Sequence, residues 1–183
     1  MYAQSNTGQI QPICSYSSVG RAHPWFRSFV LSFLIFKRRD IMELSPKEKG
    51  NLTELQCLVS FAELGLKTSI PYGENCRYDF ILDVNGSLFK IQCKTSHLIS
   101  SQEGFEFACK SVNATRKGVF ETKYSKQEID YFATYFNGKC YLVPVEECNT
   151  TKTLRYHYPK NGQKKGISLA ENYELEKMIK QIA

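Results

Sequence analysis

The seven cysteines form no Cys-x-x-Cys pair, and no Cys/His cluster has the spacing of a zinc site. A disulfide scaffold is equally unneeded, because a chain of 183 residues buries a core of its own. The thiols read as reduced, and the expected compartment is the cytoplasm. Long hydrophobic runs are also missing. The apolar segment Ser28–Phe36, "SFVLSFLIF", falls far short of the ~20 residues that a spanning helix needs. Its cations, Lys37, Arg38 and Arg39, follow it, which is the wrong order for a secretory signal. No membrane partner is expected. There are no internal repeats, and one domain is the default for this length.

Charge of one sign is scarce only locally. The formal net charge is +6. Residues 1–41 hold Arg21, Arg27, Lys37, Arg38 and Arg39 against Asp40, so the rest of the chain is nearly balanced. Two stretches are nevertheless poor in acid. Lys110, Arg116, Lys117, Lys123 and Lys126 are opposed only by Glu121, and Lys152, Arg155, Lys160, Lys164 and Lys165 by nothing. Such stretches either contact phosphates or are solvated loops.

The first 41 residues lack a helical or strand period. "YSSVGRAHPW" (Tyr16–Trp25) resembles the peptide that results when a transfer-RNA gene is translated by mistake. Residues 1–41 are expected to be a non-native or disordered extension, with Met42 as the true start and residues 42–183 as the domain. From there the signals sharpen. "SPKE" (Ser45–Glu48) has capping-box spacing with proline at the first helical position, and predicts a helix to Leu64. Strands are expected at Lys67–Pro71, Tyr78–Val84, Ser87–Ser96, Phe105–Cys109, Lys139–Glu146 and Thr153–Tyr158. Helices are expected at Lys126–Phe136 and from Ser168 towards Ile182, with a basic loop at Pro159–Gly166. The order predicts an α/β (α+β layered) fold, a mixed central sheet flanked by helices.

The informative stretch is "YDFILDVNGSLFKIQCKTS" (Tyr78–Ser96). Asn85-Gly86 between two apolar runs signals a hairpin with a two-residue turn. In that register Val84 faces Ser87, Ile81 faces Lys90, and Asp79 faces Gln92. Opposed residues share a face, and Lys94, two residues on, projects from the same side. In the first helix, Leu52, Leu55, Leu58, Val59, Phe61 and Ala62 span a broad apolar arc at ~100° per residue. Glu54 falls inside it and is expected to aim at the sheet, where an unpartnered carboxylate is costly. Asp79, the Gln92 amide oxygen and the Cys93 backbone carbonyl are hard oxygen donors that suit Mg²⁺, with Mn²⁺ the alternative, and Glu54 could join through a water. Lys94 would orient or help deprotonate an attacking water and stabilise charge on a phosphate. That is a site for metal-assisted phosphodiester hydrolysis.

The ordered set Glu54, Asp79 and "QCK" (Gln92–Lys94) resembles the PD-(D/E)XK nuclease superfamily, most closely its small group I intron-encoded homing endonucleases. "ELQCLVSFAELGLKTSIPYGENCRYDFILDVNGSLFKIQCKTS" resembles their core, and "YSKQEIDYFATYF" followed by "KCYLVPVEE" their second half. Tyr78 stands where the motif name has proline, and Gln92 where Asp or Glu is usual; the homing group includes active members with glutamine there. The resemblance implies a Mg²⁺-dependent endonuclease acting on double-stranded DNA as a homodimer or homotetramer. Holliday-junction resolution, restriction-type cleavage and inactive DNA binding are its alternatives. Arg116, Lys117, Lys123, Tyr124, Arg155, Lys164 and Lys165 are the candidate DNA contacts.

Overall fold

The computed structural model describes residues 44–73 and 75–183. The expectation for residues 1–41 lies outside the described residues. The first helix, α1 (Pro46–Glu63), starts on the anticipated capping box: Glu48 N–H donates to Ser45 Oγ, and Ser45 N–H to Glu48 Oε2. Strands β1 (Lys67–Ser69), β2 (Phe80–Val84) and β3 (Ser87–Cys93) follow, then β4 (Ser96–Leu98), β5 (Gly104–Ala108), β6 (Lys110–Thr115) and β7 (Gly118–Lys123). The chain ends with β8 (Tyr131–Phe136), β9 (Lys139–Pro144), β10 (Thr151–Arg155) and helix α2 (Leu175–Ile182).

The central sheet has the order β1-β2-β3-β8-β9. Only β3 and β8 are parallel, so the sheet is mixed. Strand alternation gives it two apolar faces. Phe80, Leu82, Val84, Ile91, Cys93 and Ala133 pack against Cys57 and Phe61 of α1 and against Leu175 and Met178 of α2. Phe132, Tyr141 and Val143 pack the other way, against Phe105 and Phe107 of β5 and Leu154 of β10. That second layer is a small sheet, β10-β5-β4. The layers are therefore helices, mixed sheet, small sheet. The six described cysteines are unpaired.

Three expectations are corrected. Lys126–Phe136 is a turn followed by β8, not a helix. Phe132, Ala133 and Thr134 are all buried, because β8 lies between two layers, and a strand buried on both faces loses the period-two pattern. On α1, the buried residues are Thr53, Cys57 and Phe61, while Leu52, Leu55 and Val59 face solvent. The helix is rotated away from the arc that its leucines define. The last helix is also shorter than expected, with a 3₁₀ turn at Ala170–Asn172 ahead of α2.

Gly104 opens β5 where two backbones meet. A Cβ there would lie 2.3 Å from the Leu154 carbonyl oxygen and 2.9 Å from Arg155 Cα. Backbone cannot swing aside as a side chain does. Gly104→Ala is expected to cost about 1–3 kcal/mol or more of stability, as overpacking does. Denaturant titration measures it as a drop in midpoint at constant slope.

Candidate active site

The hairpin register is the one anticipated. Asn85 and Gly86 take φ of 52° and 88°, and Val84 pairs with Ser87. Two successive positive-φ residues are what a type I′ turn requires. The ladder holds through Phe80–Ile91; just before it Asp79 N–H also donates to the Ile91 carbonyl, at 2.8 Å, one residue out of that register, as at a bulge. Asp79 and Gln92 are neighbours where β2 begins.

Their side chains are bonded. Asp79 Oδ2 accepts from Gln92 Nε2 and from the Cys93 backbone N–H, each at 2.6 Å. Gln92 Nε2 also donates to the Cys93 carbonyl at 3.2 Å. One donor thus lies among the oxygens of Asp79 and Cys93, which is where a cation would sit. The two ends of a glutamine amide are interchangeable in shape. With a cation between Asp79 and the Cys93 carbonyl, the amide oxygen is the end that belongs there. The donor set of carboxylate, carbonyl and amide oxygen fits Mg²⁺ or Mn²⁺. Among the described residues no group of three His, Cys, Asp or Glu side chains gathers as a metal site, so any ion leans on Gln92 and the Cys93 carbonyl as well as on the acids.

Glu54 reaches this cluster from the edge of the buried face of α1. By alternation with Ile91 and Cys93, Gln92 and Lys94 belong to the sheet face opposite α1, and of the cluster it is Asp79 whose charge Glu54 feels. Glu54, Tyr78 and Asp79 line one cavity of about 530 Å³. The neighbouring Thr53 Oγ1 lies 3.3 Å from Thr95 Oγ1, which ties this turn of α1 to the chain just past β3. Burial raises the Asp79 carboxyl above its ordinary range, opposed by the Cys93 N–H, the Lys94 charge and Gln92. Glu54 is raised as well, first by burial and then by the charge of Asp79. Two half-buried carboxylates, one raised by the charge of the other, are an arrangement that a cation relieves.

Lys94 is anchored on the Tyr124 side of the site. Its backbone N–H donates to the Ala133 carbonyl, where the chain leaves the central sheet for β4. Its Nζ donates to Tyr124 Oη at 3.2 Å and lies 4.8 Å from the Tyr124 ring centroid. Tyr124 stands edge-on to Phe132 and is covered on its ring by Arg77, 4.1 Å away. Arg77 is further held by Glu128 Oε1, Ser111 Oγ and the Lys123 carbonyl. No local pattern signals Arg77, because its partners lie 34 to 51 residues away in the chain.

The candidate DNA contacts divide. Arg116 and Lys117 form the exposed turn between β6 and β7, with no ion pair among the described residues. Lys164 and Lys165 are exposed in the basic loop, Lys164 near the Tyr158 ring. Lys123 Nζ donates to Asn149 Oδ1, and Arg155 pairs with Glu103. Lys110 and Lys126 are paired with Glu121 and Glu146. Lys152 is buried against Glu147 and Tyr173. Half the basic residues of the two stretches are thus spent on local pairs.

No curated protein sequence matches the chain. A solved bacterial homing endonuclease, I-Ssp6803I, has a similar structure, with a TM-score of 0.61 at 19% identity, over 75% of this chain and 95% of that one. At that identity the likeness concerns the fold. The family model of the PD-(D/E)XK endonucleases matches residues 44–176, the span that carries the hairpin, the Glu54 helix and the lysine, and the chain belongs to that endonuclease family.

Proposed function

We propose that the protein is a divalent-metal-dependent DNA endonuclease of homing type, cutting double-stranded DNA in the cytoplasm as a homodimer or homotetramer. The observation that carries this reading is the clasp of Asp79 by Gln92 and the Cys93 N–H, with Glu54 in the same cavity. Asp79, Gln92 and the Cys93 carbonyl would hold Mg²⁺, with Glu54 reaching it through water. When bound, the metal would supply Lewis acidity at a phosphoryl oxygen and a more acidic water.

The protein's own groups do the rest. Lys94, held over the Tyr124 ring, presents its ammonium beside Asp79 to orient the attacking water and to neutralise charge developing on the phosphate. Asp79 and Glu54 accept protons or hydrogen bonds from water on the cavity side. One chain carries one such site, so cutting both strands calls for a second copy. The solvent-facing Leu52, Leu55 and Val59 of α1 suit a surface covered in an assembly.

Supercoiled plasmid with Mg²⁺ tests the reading: nicking and linearisation support it, and retardation without cleavage would show an inactive binder. The metal position has its own test in Gln92→Glu, which restores the commoner motif residue. The added carboxylate beside Asp79 is expected to lower metal-free stability, since like charges across a strand pair repel. Mg²⁺ should then raise the Tm of the variant by more than that of wild type. An equal or smaller Mg²⁺ shift would remove Gln92 from the metal site.

A further inference from the structure

The two strands β6 and β7 belong to neither layer of the core. They pair only with each other, from Lys110↔Lys123 to Thr115↔Gly118, and form a sheet of their own. Every residue of β7 is exposed. An isolated two-stranded ribbon is marginal in water, and this one exposes Val112 at 54%, Val119 at 67% and Phe120 at 53%. Six residues per strand give it a reach of about 20 Å. Its two-residue turn places Arg116 and Lys117 at the far end, exposed and free of ion pairs among the described residues.

The root of the ribbon is fastened to the catalytic side. Arg77 bonds Ser111 and the Lys123 carbonyl, and it stacks on the ring that holds Lys94. A duplex whose phosphate lies at Lys94 therefore has this ribbon beside it. The major groove, about 12 Å wide, admits a two-stranded β-ribbon.

Resting on the nuclease reading above, we propose that the β6–β7 ribbon enters the major groove next to the cleaved bond. Arg116 and Lys117 bind phosphates across the groove. Opposed residues share a face, so Phe120 and Thr122 lie on the face of Ser111, which Arg77 binds, and Val112 and Val119 lie on the other. Phe120 and Thr122 face base edges, the ring suited to thymine methyls and the hydroxyl to donor or acceptor edges. The ribbon carries Lys110, Arg116, Lys117 and Lys123 against Glu121 alone, a balance that favours DNA over the same ribbon of a second copy.

The test uses the full chain and a fluorescein-labelled random-sequence duplex without divalent metal. Arg116→Ala/Lys117→Ala, confined to an exposed turn, is expected to weaken binding and reduce the log–log salt slope by about two units. Methyl green, which occupies the major groove, should compete with wild type, and netropsin, which occupies the minor groove, should not. An unchanged slope, or competition by netropsin instead, overturns the inference. So does loss of self-association in the variant with DNA affinity intact, which would make the ribbon a contact between copies. Plasmid cleavage by wild type, run in parallel, separates the two readings. If wild type cleaves while the ribbon variant keeps its slope, the ribbon assignment falls alone; if wild type neither binds nor cleaves DNA, both fall.

Discussion

Lys94→Ala should reduce DNA cleavage by about 10²–10⁴-fold, the range for a positioned proton-transfer group, while leaving folding and duplex binding near wild type. The backbone of Lys94 is fixed by its own N–H bond to Ala133, so truncating the side chain does not loosen the end of β3. The ammonium contacts one hydroxyl and one ring face, both on Tyr124, and that hydroxyl is free to take a water in its place. Duplex affinity rests on cations elsewhere, at the ribbon tip and the basic loop. Single-turnover cleavage and a binding isotherm on the same duplex separate the two effects. A parallel loss of binding would move Lys94 from the chemistry to the DNA surface. Tyr124→Phe keeps the ring and removes only the acceptor. It should lower cleavage by a smaller factor, and it should have no further effect in the Lys94→Ala background if Tyr124 acts through the lysine.

How far the sequence discloses this site depends on how local each signal is. The Asn85-Gly86 turn and the alternation around it are contained in nineteen residues, Tyr78–Ser96, and they gave Asp79, Gln92 and Lys94 their relative places. Asn137-Gly138 carries the same turn signal, with φ of 48° and 82°, and it joins β8 to β9 in the same way. There the aromatics Tyr131, Phe132, Tyr135 and Phe136 mask it, because their spacing also fits a helix turn although they belong to a strand packed on both faces. The rotation of α1 was hidden for a related reason. Hydrophobicity places Leu52, Leu55 and Val59 inside, whereas the layer that receives the helix takes Thr53 and Cys57. Thr53 satisfies its hydroxyl on the Lys49 carbonyl and beside Thr95, so its burial costs little. Glu54 still reaches the site, because it borders either version of the inward face. The Arg77–Tyr124–Lys94 stack is assembled entirely from contacts distant in the chain, and no spacing announces it.

Asp79→Asn should abolish cleavage and, without divalent metal, raise the melting temperature. The first effect follows from charge. Asp79 is the one carboxylate placed directly against the Cys93 carbonyl and Gln92, and its loss should exceed the ~10–100-fold typical of removing an outer partner of a metal site. The second follows from linkage. Burial raises the Asp79 carboxyl, so ionising it costs more in the folded chain than in the unfolded one. The fold is then favoured below the ordinary carboxylate pKa, and that advantage is lost as pH rises through the elevated folded value. Glu54, raised by burial and by the Asp79 charge, has the same sign. Ionising either carboxylate carries that cost, and asparagine relieves the pair while its carbonyl oxygen still accepts the Cys93 N–H. The gain should therefore be largest near neutral pH and shrink as pH falls. Mg²⁺ should stabilise wild type and narrow the gap. Melts of the two proteins in chelator and in Mg²⁺, from acid to neutral pH, measure all of this together. A variant that melts lower than wild type in chelator at neutral pH would show that the Asp79 hydrogen bonds outweigh its desolvation, and would end the account of this site as one strained in readiness for a cation.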